Sequence, residues 1–172
     1  LGLISRMERA EHRLVLQHRH GSLELFKMGA ELDPFAVLVN KALAALKEEA
    51  GALLKEVHPN ISSSVLAQAT DLFLDGRAAS GKEVKPLDKE LWRALTERVR
   101  ASGLREEFDS LTATSGDHTR IGLGRNEDGS GYIWFLAPMT DPSGDPKVIA
   151  FEAESSEETN RATYLFSYSR MS

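Results

Sequence analysis

At Thr112 the sequence changes character. Before it, apolar residues recur at helical spacing among Leu, Ala, Lys and Glu; after it, glycine, β-branched and aromatic residues take over in short runs divided by turn signals. Helices followed by strands, with connections too short to hold crossover helices, exclude a parallel βαβ sheet. The order therefore predicts an α+β fold, an amino-terminal helical region of about three helices packed on a carboxy-terminal four-stranded antiparallel sheet. At 172 residues the chain has the length of a single domain, with subregions 1–29, 30–111 and 112–172.

Within 30–111, Asp33-Pro34 reads as an N-cap followed by proline at the first helical position, and the helix it opens is expected to reach about Val57. Phe35, Leu38, Val39, Ala42, Leu43, Leu46, Leu53, Leu54 and Val57 make its apolar face. A second helix is capped from Ser62–Ser64 and stopped by Gly76. A third opens at Pro86 and buries Leu87, Leu91, Leu95 and Val99, and 104–111 adds a turn or two. The stretch Gly76–Lys85, with two glycines and little apolar content, reads as an exposed, mobile loop. Strands are expected at 119–124, 132–138, 147–154 and 162–169, joined as a meander.

The first 29 residues are ambiguous in period. Ile4, Met7 and Leu14 suggest a short amphipathic helix over Leu3–Arg13, while Leu14, Leu16, Leu23 and Leu25 alternate around His20-Gly21 and favour a β-hairpin over one long broken heptad helix.

Composition removes whole classes of chemistry. The chain has no cysteine, hence no disulfide framework, thiolate zinc site or cysteine nucleophile, and a reducing cytoplasmic setting fits. A net charge of −5, with no Lys/Arg cluster, argues against nucleic acid, and no apolar run is long enough to insert in a membrane. Beginning at Leu1 rather than Met, the chain is expected to be part of a larger protein.

No catalytic constellation emerges. Gly76-Arg77-Ala78-Ala79-Ser80-Gly81-Lys82 matches the G-x-x-x-x-G-K core of a phosphate loop, but Glu83 stands where Ser or Thr would hold Mg²⁺ and would repel phosphate. His18 and His20 form an H-x-H pair that on one strand would share a face and could hold a metal, with His58, His118 or Asp117 as a further donor. Arg125 to Gly131 is accounted for as a hairpin turn: a calcium loop in this register would start at Gly124 and end at Phe135, where a carboxylate is required. Ser130 lacks the flanking glycines of a nucleophile elbow. The acidic group Glu152, Glu154, Glu157 and Glu158 fits a solvated strand edge better than an acid/base pair.

These readings point to a non-enzymatic protein-interaction or regulatory module, with a protein partner or self-association and no cofactor. The alternative is a small-molecule sensor whose pocket, between sheet and helices, is lined by Trp134, Phe151 and Tyr164, with Arg120 or Arg161 fixing an anionic group. A metal-dependent enzyme built on His18 and His20 ranks third.

Overall fold

The computed structural model describes residues 4–10, 13–18, 21–140, 143–154 and 161–167. The chain is α+β, with two antiparallel sheets on either side of a helical region in sequence.

The first sheet has the order β1-β2-β3, with β1 Ile4–Ala10, β2 Arg13–His18 and β3 Gly21–Phe26. The hairpin is present, but the helix expected over Leu3–Arg13 is a strand. Its cause is a bulge: Ile4 pairs with His18 and Arg6 with Gln17, so one extra residue lies between them. That residue puts Ile4 and Met7, three apart, on the same sheet face, where both pack against the small core that holds Leu14 and Leu16. A spacing of three thus imitates a helix.

Helix α1, Leu32–Val57, is the spine. It starts one residue before the expected cap, continuing from a 3₁₀ turn at Gly29–Glu31. Asp33 therefore lies inside the first turn, where its carboxylate pairs with Arg9 at 2.7 Å instead of capping. Leu32, Ala36, Val39 and Leu43 close the small core under the first sheet, while Ala50, Leu53 and Leu54 belong to the main core. Leu38, expected on the buried face, is 63% exposed beside Val37 at 68%: it lies about a third of a turn off that stripe.

Helix α2, Ser63–Phe73, is capped by Ser62, whose Oγ accepts the Val65 N–H at 3.3 Å. The chain then turns through Asp75 and Gly76, both at positive φ (56° and 69°). Beyond the turn, the expected loop is replaced by regular structure. Residues Ala78–Ser80 form strand β4 and Gly81–Val84 a short helix α3; Ala79, Ser80, Gly81 and Val84 are buried. Glu83 reaches back to accept hydrogen bonds from Ser80 N–H (2.8 Å) and Oγ–H (2.7 Å), and Gly81 sits close against the Trp92 ring.

Helix α4, Lys89–Val99, is opened by Asp88 rather than Pro86: its Oδ1 accepts from Glu90 N–H and Leu91 N–H, which proline two residues earlier cannot provide. Leu91, Leu95 and Val99 of the predicted stripe are buried, whereas Leu87 precedes the helix and is half-buried. A π-helical turn with Gly103 at φ 80° leads into α5, Arg105–Ser115, longer than the expected turn or two. Thr112 Oγ and Ser115 Oγ donate to the carbonyls of Phe108 and Leu111 one turn back, so the hydroxyl residues remain helical past Thr112.

Strands β5 Arg120–Arg125, β6 Gly131–Thr140, β7 Pro146–Glu154 and β8 Arg161–Ser167 form the predicted antiparallel meander, and β4 adds a fifth, short strand beside β5. Residues 168 and 169 of the last predicted strand lie outside the described residues. Ile121, Leu123, Ile133 and Phe135 face the helices. Phe135 meets Phe108 edge-on (centroids 5.1 Å, 87°) and stacks on Phe151 (5.1 Å, 12°), tying α5, β6 and β7 together.

Candidate binding groove

The period of two decides which residues reach the far side of the second sheet. With Ile121, Leu123, Ile133, Phe135 and Phe151 turned to the helices, the opposite face receives Gly122 and Gly124 from β5, Tyr132, Trp134 and Leu136 from β6, and Val148, Ala150 and Glu152 from β7. The register aligns them in rungs: Gly122 beside Trp134 beside Glu152, and Gly124 beside Tyr132.

The two glycines shape this face. A Cβ on Gly122 would stand 2.2 Å from Trp134 Nε1, and one on Gly124 would stand 2.3 Å from Tyr132 Cζ, so each ring lies across the glycine of the neighbouring strand. Folded down in this way, the rings leave a groove of about 350 Å³ between them, β7 and the Asp75-Gly76 turn. Leu136, Val148 and Ala150 make its floor apolar, and Asp75 and Glu152 are its charged residues. Gly76 is favoured as glycine by its φ of 69°, and it lies against the Tyr132 hydroxyl.

The Tyr132 phenol reports the character of the site. Burial first, then the carboxylates of Glu152, Glu49 and Asp75, push its pKa above the ordinary value, because the phenolate would be both desolvated and repelled.

Of the residues singled out in the sequence, Trp134 lines this groove, and Phe151 borders it on β7 while its ring stacks on Phe135 on the helix-facing side. The groove lies on the sheet face turned away from the helices, whereas the expected pocket lay between sheet and helices. There a smaller cleft of about 110 Å³ runs between α1 and the β5–β6 pair. Arg120 does not line the groove: its guanidinium donates to the Ala78 carbonyl at 3.0 Å and pairs with Glu83 at 3.2 Å, fastening β5 to β4 and α3. Tyr164 pairs in register with Ala150 and Arg161 with Ala153, and the side chains of both lie outside the described residues.

Among the described residues the remaining candidates do not assemble. His18 ends β2, and His20 lies outside the described residues. Among the described residues no group of three His, Asp or Glu side chains is placed to hold a metal. In the phosphate-loop look-alike, Glu83 already occupies the Ser80 N–H that a phosphate would need. Asp128 accepts from Ser130 N–H and Oγ–H at 2.8 and 2.6 Å, a turn-closing role in which Ser130 is held as a donor. Glu157 and Glu158 are outside the described residues.

The groove residues that sequence reasoning did not single out include Gly122, Gly124, Tyr132, Leu136 and Asp75. The signal was present as a G-x-G on one strand followed by a Y-x-W on the next, two patterns of the same period that a tight turn brings into register. No helix among the described residues is long and apolar enough to cross a membrane. Comparison with protein-family models, with curated proteins and with solved structures finds no match for this chain.

Proposed function

We propose that this chain is a non-catalytic, cytoplasmic recognition module whose contact surface is the outer face of the second sheet. One observation carries the reading: two aromatic side chains are folded onto glycines so that an apolar groove stays open on a face that period-two alternation would otherwise leave as a plain solvated surface. Such a groove suits an extended polypeptide segment, which can lie along a sheet face and drop alternate side chains into it. Its size is also at the lower end for small-molecule sites, which keeps a sensor as the alternative.

Selection from a random displayed-peptide library on the immobilised protein, with counter-selection on the Trp134→Ala variant, tests it. The reading expects peptides that bind the parent protein, compete with one another and lose binding to the variant. If no Trp134-dependent peptide is enriched while a metabolite panel raises the melting temperature, the sensor reading replaces it.

A second reading, self-association, has its own support at the other end of the molecule. β3 is an edge strand, and its Leu23 and Phe26 are 53% and 60% exposed. Sedimentation over a range of concentrations, for the parent and for Leu23→Lys, tests it: the parent should associate and the variant should not.

A further inference from the structure

We propose that the groove selects a cationic side chain, a lysine or arginine flanked by apolar residues in an extended segment of a partner protein, and seats the cation between the Trp134 ring and the Glu152 carboxylate. This rests on the peptide-recognition reading above and names the chemistry of the peptide.

Charge complementarity carries the inference. Trp134 and Glu152 are direct cross-strand neighbours on the groove face, where antiparallel partners hold their Cβ atoms about 5 Å apart. A cation there would meet a π face and a carboxylate together. Among the described residues, both charged residues lining the groove, Asp75 and Glu152, are acidic. Tyr132 feels three carboxylates at once, those of Glu152, Glu49 and Asp75. Three described arginines on the neighbouring elements are turned to other work: Arg120 holds the Ala78 carbonyl and Glu83, Arg77 donates to the carbonyls of Asp71 and Leu74, and Arg125 pairs with Glu56. An anionic or neutral ligand would leave this negative field unanswered. The apolar floor of Leu136, Val148 and Ala150 asks for an apolar residue beside the cation.

Three capped synthetic heptapeptides that alternate leucine with arginine, glutamine or glutamate would test it by isothermal calorimetry. The arginine peptide should bind about tenfold or more tighter than the glutamine peptide, the scale of a cation–π contact joined to an ion pair. The glutamate peptide should bind more weakly still. Glu152→Gln, which preserves shape, should remove most of the arginine preference over the glutamine peptide.

An arginine preference that survives Glu152→Gln overturns the proposal, as does equal binding of all three peptides. If that equal binding depends on Trp134, the recognition reading stands and only its cationic specificity fails. If no peptide binds in a Trp134-dependent way, both fall. Binding of free arginine amide as tight as the arginine peptide would assign the site to a small cation. Concentration-dependent dimerisation abolished by Trp134→Glu would assign it to a second copy; each of these also overturns the proposal.

Discussion

The indole of Trp134 lies across Gly122, its cross-strand partner, so closely that a single added Cβ would stand 2.2 Å from Nε1. The glycine is thus part of the aromatic side chain's seat. Exchanging it for alanine forces the ring off the sheet, which closes or reshapes the groove at the same stroke.

Gly122→Ala should therefore destabilise the protein by about 1 to 3 kcal/mol, the usual range for overpacking. In a Trp134→Ala background the same exchange should be nearly neutral, because the obstructing ring is gone. Urea denaturation of the four proteins of this double-mutant cycle measures the coupling. Additive losses would mean that the glycine is required by the strand and not by the indole.

Helix α1 divides its buried face between two cores, and the two should respond separately. Leu43→Ala removes packing beneath the first sheet and Leu54→Ala removes it from the main core; each should cost about 2 to 5 kcal/mol. Leu38→Ala, on the open flank, should change stability by less than about 0.5 kcal/mol. Thermal unfolding of the three variants checks this, and a Leu38 loss as large as that at Leu43 would show the flank to be covered in solution.

The strands β5 to β8 were legible because alternation, aromatic content and turn residues agreed there on one structure. Elsewhere the local signal had two solutions. Ile4 and Met7 share a face in a helix or across a bulged strand, and only pairing with β2 chooses between them. Thr112 and Ser115 favour loops by propensity, yet their hydroxyls bond back to the helix. In Gly76–Lys85 the apolar content is too small to announce a strand; burial comes from what β5 and Trp92 bring to it from elsewhere in the chain. The groove itself depends on register, and single-strand patterns carry no register.

The Ser80–Glu83 contact turns a segment that looks like a loop into a fixed corner. Glu83→Ala removes the acceptor of two hydrogen bonds and the partner of Arg120, and a loss of about 1 to 2 kcal/mol is expected, in the range of a lost helix cap. Trypsin should leave the parent uncut at Arg77 and Lys82 under native conditions and should cut the variant there sooner. Early cleavage of the parent at Lys82 would contradict the buried strand and short helix.

Tyr132 gives the groove a signature at high pH. Burial, and after it Glu152, Glu49 and Asp75, hold its pKa above the ordinary phenol value of about 10. A pKa raised by folding means that the folded chain favours the protonated phenol. Its contribution to stability is therefore complete below the unfolded value and is lost as pH rises through the folded one. Ultraviolet difference absorbance of the folded protein should show one phenol titrating above the range of free tyrosine, and Tyr132→Phe should remove that component. The parent should also lose stability relative to Tyr132→Phe as pH climbs past about 10, with no such divergence near neutrality. Glu152→Gln removes the leading charge that repels the phenolate, and should bring the titration part of the way back toward the free value. A phenol that titrates like free tyrosine would mean that Tyr132 stands in open water, and the ring would then not be folded onto Gly124.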